Sequence, residues 1–194
     1  GLSRRHLVSA VAREDQVFAW LVMAEIPNRF TPFHASLAES TARHLSVGYA
    51  MQSRIARVVW NAKASLARQM IRGTARDDDV GASAEYLGVD VTSDRVVTYV
   101  TGLTRVDDPR ELERFCEELG QVLGVEVLAL RGTEGVVFLV EAPVDVAAVV
   151  MVGQVKRAMS RVLAQWGEGG ALAGISSVAR HDALERAYRE AREV

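Results

Sequence analysis

Few side chains in this sequence stand where they could do chemistry together. Asp77, Asp78 and Asp79 are three consecutive carboxylates ahead of an apolar stretch. Carboxylate oxygens are what hard divalent cations take as ligands, so the run invites a metal site. Successive side chains on a helix point in different directions, however, and acidic residues favour helix N-termini through the helix dipole. The triplet is therefore read as the start of a short helix ending at Leu87. His6, His34, His44 and His181 lack the spacing of a metal-binding pair. Cys116, the single cysteine, falls on the apolar stripe of a helix with no histidine beside it. It fits a reducing compartment and excludes an intrachain disulfide. Gly167, Gly169 and Gly170 follow a helix instead of leading from a strand into one, so they do not make a phosphate cradle. These residues predict no catalytic, cofactor or metal site, and so no enzyme.

Composition agrees with that reading. Hydrophobic residues at 49% and charged residues at 25% describe an ordinary globular chain of 194 residues. A net charge of −2 gives no electrostatic case for nucleic acid or an anionic membrane as partner. No apolar run reaches the roughly 18 residues of a spanning helix, and there is no signal-peptide core. A cytoplasmic chain is expected. The first residues lack an initiator Met, and ALERAYREAREV stops inside a helical pattern, so both ends are expected to be cuts in a longer protein.

Any site would be positioned by the stretch 125–141, VEVLALRGTEGVVFLVE. Residues 125–130 alternate, with Val125, Val127 and Ala129 on one face and Glu126, Leu128 and Leu130 on the other. Residues 136–140 are apolar on both faces, which demands cover on both sides or a central place in a sheet. Gly132-Thr133-Glu134-Gly135 divides the runs, so a β-hairpin is predicted. Arg95–Thr101 reads as an earlier strand. A helix follows at Pro109, with Asp108 as N-cap and Glu111 near a capping box. Its stripe is Leu112, Phe115, Cys116, Leu119, Val122 and Leu123, and Gly124 ends it. A second helix is expected from Asp145 to Trp166, then a strand at 171–176 and a last helix presenting Leu184, Ala187, Tyr188 and Ala191. The order βαββαβ predicts an α+β, ferredoxin-like, four-stranded antiparallel sheet with the two helices on one face. Val137 or Phe138 should be among its most buried side chains.

Upstream, residues 6–12 and 17–25 are strand-like runs about Arg13-Glu14-Asp15-Gln16, which predicts another hairpin. Its second run is apolar throughout. Either the pair packs on the helix that follows, or it is the edge of a domain begun upstream. Ile26-Pro27-Asn28 breaks the strand, and Thr31 and Pro32 supply an N-cap and first helical position. From there to Arg72 no further proline occurs, and Gly48 is the one glycine. Leu37, Thr41, His44, Gly48, Met51, Ile55, Val58 and Ala62 recur at spacings of four and three, a seam of heptad period. An unbroken helix of this span would be about 60 Å long, which suggests a connector or dimer stalk. A break near Gly48 or Asn61 would instead give two packed helices.

A hairpin between two helices of such a sheet resembles nucleotidyl cyclases of the GGDEF class. There, a carboxylate at the end of the first strand and others in the hairpin loop hold magnesium. Here the strand ends Tyr99-Val100-Thr101-Gly102-Leu103, and the loop reads Arg131-Gly132-Thr133-Glu134-Gly135. Both lack the family's acidic positions, and Glu134 alone cannot hold two metals. A fuller match covers about 54–194. LGVDVTSDRVVTYV, the hairpin, and the closing Gly174, Ile175, Ser176, Leu184, Ala187, Tyr188 and Ala191 resemble the central degenerate-GGDEF domain of PucR/CdaR-type bacterial transcription regulators. HLVSAVAREDQVFAWLVMAE with the helix after it is similar to the end of GAF-type sensor domains, which often precede that domain.

The resemblance implies three segments. Residues 1–31 would be the remnant of a GAF-like sensor, 32–73 a connector and dimerisation helix, and 74–194 a degenerate GGDEF-like domain. It implies a regulatory fragment whose parent binds DNA through a helix-turn-helix domain absent from this sequence. An alternative is a small-molecule effector-sensing domain; a cyclase-like enzyme is the remaining reading. A homodimer is expected, because residues 6–25 offer apolar side chains on both faces, with Trp20, Val22, Met51, Ile55, Val58 and Ala62 as its interface.

Overall fold

Val136, Val137, Phe138, Leu139 and Val140 are all buried, as a strand that is apolar on both faces requires. The computed structural model describes residues 5–14, 16–26, 29–73, 78–104 and 109–193, with the backbone alone at 16, 78–80 and 109. The carboxylates of 77–79 and the N-cap expected at Asp108 therefore lie outside the described side chains. Two compact units emerge, Gly1–Val58 and Val59–Val194. One helix, α1 (Pro32–Ile71), contributes to both and runs through Gly48 and Asn61 without a break.

In the first unit, β1 (His6–Arg13) and β2 (Gln16–Ala24) form an antiparallel pair. Val8 faces Val22 and Ala10 faces Trp20 across it. α1 starts with a reciprocal cap: the Thr31 N–H donates to His34 Nδ1 at 3.0 Å, and the His34 N–H donates to the Thr31 carbonyl at 3.0 Å. Val11, Ala38, Ala42 and Ser46 are buried, and Phe18 stacks on Tyr49 at 6.0 Å. Positions 38, 42, 46 and 49 share one side of a 3.6-residue helix, so this side meets the hairpin.

In the second unit, α2 (Asp78–Leu87) precedes β3 (Arg95–Thr101), α3 (Pro109–Leu123), β4 (Val127–Arg131), β5 (Gly135–Glu141), α4 (Ala148–Gln165), β6 (Leu172–Ala179) and α5 (Leu184–Arg192). The strands make one sheet in the order β4-β5-β3-β6, antiparallel throughout. This is the expected α+β arrangement. Val96, Val100, Ala129, Phe138 and Val140 face α3 and α4, where Leu112, Phe115, Leu119, Val155, Met159 and Val162 cover them. On the opposite face, Val97, Tyr99, Leu128, Val137 and Leu139 pack with Leu66 and Met70 of α1, Ala84 of α2, and Leu184, Ala187 and Ala191 of α5. The sheet is thus covered on both sides.

Two boundaries differ from expectation by three residues, and others, such as the start of β4 at Val127, by fewer. α4 begins at Ala148, not Asp145, because the Val146 N–H closes a turn on the Pro143 carbonyl at 3.1 Å. Asp145 sits in that turn, too early to cap the helix. β6 continues past Ser176 to Ala179 through a bulge opposite Val97. There the Val97 N–H donates to Ser176 Oγ at 2.9 Å, so a hydroxyl stands in for a ladder carbonyl.

Candidate functional site

A glycine at the hairpin decides the chemistry available at this end of the sheet. Gly135 pairs with Thr101, and a Cβ on it would overlap the Val100 carbonyl oxygen. Gly102, at φ +75°, lies where a Cβ would stand 3.1 Å from the Gly170 carbonyl oxygen. The exit of β3 is therefore held backbone to backbone against β5 and against the loop after α4. Glu168 of that loop is buried. Its carboxylate accepts the Thr104 N–H at 3.0 Å and the Thr104 hydroxyl at 2.9 Å. A carboxylate is thus present beside β3, but its oxygens clamp a loop.

Glu134, the acidic residue of the hairpin loop, points to Arg192 of α5, 3.7 Å away. The Arg192 guanidinium lies over the rings of Tyr99 and Tyr188, at 5.6 and 5.8 Å from their centroids. The two tyrosines meet edge to face at 6.1 Å. Burial raises the Tyr99 phenol above its ordinary value. This cluster ties the last helix to the hairpin. Among the described residues, no group of three or more His, Cys, Asp or Glu side chains could hold a metal ion. Cys116 is buried, its thiol donating to the Val127 carbonyl at 3.0 Å, and burial pushes its pKa up to about 12. Little thiolate exists there at neutral pH.

The six expected interface residues are placed on two surfaces. Trp20 and Val22 are 63% and 56% exposed, on the face of the hairpin opposite buried Val11. Met51, Ile55 and Val58 are exposed as well, and Ala62 is half-buried. At 100° per residue, positions 51, 55 and 58 lie on the far side of α1 from 38, 42, 46 and 49. Within the first unit, Trp20 and Val22 therefore lie on a different surface from Met51, Ile55 and Val58. The helix seam and the outer hairpin face look in different directions. A small-molecule effector-sensing domain was the alternative reading, and the sequence identified no pocket for it. Among the described residues, a groove lies on the outer surface of α3 and α4, lined by Arg114, Glu118, Arg161 and Trp166 among others. Trp166 Nε1 donates to Glu118 at 2.6 Å there, and Arg114 lies over the indole.

Reading the sequence for sites missed a buried ionic cluster at the opposite end of β3. Arg95 is fully buried. Its Nη2 donates to the Asp90 carbonyl at 2.7 Å and reaches Glu126 Oε2 at 3.4 Å. Glu126 Oε1 accepts from Lys63 of α1 at 3.2 Å. One signal was available: Arg95 shares a strand face with Val97 and Tyr99, so a strand buried on that face buries an arginine.

Asp90 itself anchors the loop into β3. It accepts the Thr92 hydroxyl at 2.7 Å, the Ser93 hydroxyl at 2.7 Å and the Thr92 N–H at 2.8 Å. The hydrogen bonds from the Thr92 and Ser93 side chains do most to lower its pKa, from 3.8 to about 2. A carboxylate with a depressed folded value contributes stability above its unfolded pKa and loses it as pH falls through the folded one. Asp90 is exposed, so the contribution is discounted to about 1 kcal/mol. Urea unfolding should show Asp90→Ala less stable by that amount at pH 7. The gap should close as pH falls from about 4 towards 2.

Among the described residues no helix is long and apolar enough to cross a membrane. Comparison with curated proteins and with solved structures finds no match. The family description "GGDEF-like domain" matches residues 72–194, which span α2, the whole sheet and α3 to α5. Since that match takes in well over half of the 194 residues, the chain belongs to the GGDEF-like domain family, and its second unit is a domain of regulatory or signalling type.

Proposed function

We propose that this chain is the signalling and dimerisation part of a PucR/CdaR-like bacterial transcription regulator, acting in the cytoplasm without catalysis of its own. In this reading residues 1–31 end a GAF-like sensor domain, 32–73 form a connector and dimer helix, and 74–194 are a degenerate GGDEF-like domain. DNA is bound by a helix-turn-helix domain elsewhere in the regulator. The observation that carries the reading is the closed hairpin end of the sheet. Gly135 lies under the Val100 carbonyl, Gly102 lies under that of Gly170, and Glu168 is spent on Thr104. Phosphoryl transfer needs several oxygen ligands free to hold metal and phosphate, and the described residues at this end offer no such set.

Dimerisation is supported by the exposed seam of α1. Met51, Ile55 and Val58 follow a heptad spacing and are more than half exposed. A closed twofold pair would set each seam against its copy. Trp20 and Val22 then form a second apolar surface on the hairpin, available to the rest of a sensor domain. Incubation of the chain with GTP and magnesium, with products separated by chromatography, tests the non-catalytic half. The expected result is unchanged GTP; a cyclic dinucleotide product would overturn it.

A further inference from the structure

The cluster under α1 contains an imbalance that a purely structural ion pair would not need. Arg95 Nε and Nη1 are buried without a hydrogen-bond partner, although the same guanidinium carries a full charge. Leaving buried donors unpaired is costly, and an arginine prefers a carboxylate that meets two of its N–H groups at once. Among the described residues Glu126 is the carboxylate in reach, yet it touches only Nη2, at a stretched 3.4 Å. Its other oxygen is held by Lys63 at 3.2 Å. Glu141 is occupied differently: its oxygens accept from the Ser93 hydroxyl at 3.3 Å and the Glu126 N–H at 3.4 Å. One carboxylate is thus shared by two cations, the first on the long helix and the second in the central strand.

We propose that Glu126 is a two-position latch between α1 and the sheet. In the position seen here it holds Lys63 and leaves Arg95 partly unsatisfied. In the other it releases Lys63 and closes on two N–H groups of Arg95. The exchange gives up a partly exposed Lys–Glu pair, which contributes little, and gains buried charge-assisted hydrogen bonds. Drawing the Glu126 carboxylate, now 20% exposed, away from water costs desolvation that offsets this gain, which leaves the two positions close in free energy, as a switch requires. A pull or rotation of α1 that withdraws Lys63 tips Glu126 onto Arg95, at the start of the strand that pairs with both β5 and β6. This deepens the relay reading above and rests on it for its biological purpose.

Arginine side-chain NMR on the full chain tests it, using the Nε–H signal of Arg95. Lys63 is partly exposed, so Lys63→Met and Lys63→Gln leave the apolar core intact. Either should move the Arg95 Nε–H downfield and slow its exchange with water. Adding Glu126→Gln to Lys63→Met should reverse the shift. Backbone exchange at residues 66–71 should rise about two- to fivefold in the Lys63 variants, the equivalent of losing one partly exposed ion pair. The latch is overturned if the Arg95 signal does not respond to either Lys63 variant. It is also overturned if the unmodified protein already shows that proton bonded and protected. The outcomes separate cleanly from the relay reading. A shifted signal in a chain that never dimerises would sink the relay and keep the latch, and a dimer with an unmoved signal would do the reverse.

Discussion

Gly135→Ala should unfold the second unit at a temperature roughly 8–12 °C lower than the unmodified chain, the consequence of losing about 2–3 kcal/mol. The added methyl would overlap the Val100 carbonyl oxygen and stand 3.2 Å from Thr101 Cγ2. Neither obstacle is the free end of a flexible side chain, so β5 must part from β3 at the Thr101–Gly135 pair. That pair lies between the two central strands, and the displacement would be felt by Val137 and Phe138 one turn of the pleat further on. Gly153→Ala is the internal control. It sits in α4, where the nearest atom to a new Cβ is Arg157 Nη1 at 3.7 Å. There alanine should be neutral or stabilise by up to about 1 kcal/mol, its advantage over glycine in a helix. Thermal scans followed by tryptophan fluorescence compare the two; equal behaviour would mean that the hairpin end is not packed as described.

Ile55→Asp should abolish self-association. Ile55 is 56% exposed in the single chain, between Met51 and Val58 on the seam of α1. In a twofold pair of seams it would be desolvated, and a carboxylate there would face its own copy. Burying a charge without a partner costs several kcal/mol; even about 3 kcal/mol for the pair weakens Kd by more than about 100-fold. Tyr86→Ser supplies the comparison, since Tyr86 is also exposed but lies on α2 in the second unit. It should leave association unchanged.

How much of this was legible in the sequence depends on which physical signal each residue carries. The alternation of residues 125–130 placed Val125, Val127 and Ala129 opposite Leu128 and Leu130, and the sheet separates them in that way. The stripe of α3 as far as Leu119 and the doubly apolar β5 were equally readable, because periodicity reports burial directly, but Val122, expected on that stripe, is 41% exposed. The end of β6 was not, since Ser176 looks like a strand stop. Its hydroxyl instead serves Val97 across a bulge, a tertiary use that no local pattern encodes. The start of α4 was misplaced because Asp145 has the chemistry of a cap while the turn from Pro143 removes it from capping position. Clusters assembled from distant residues were harder still. Lys63 and Glu126 are 63 positions apart, and only the fold brings them to Arg95. The same holds for Arg192 over Tyr99 and for Thr104 on Glu168.

Sedimentation equilibrium of the unmodified chain at tens of micromolar reads the association of α1 seams without any label or substitution. A relay built on the α1 seam requires a species of twice the 21.2 kDa chain mass, reduced to a single chain by Ile55→Asp. A 21.2 kDa monomer under those conditions, or a dimer that Ile55→Asp leaves intact, would contradict it.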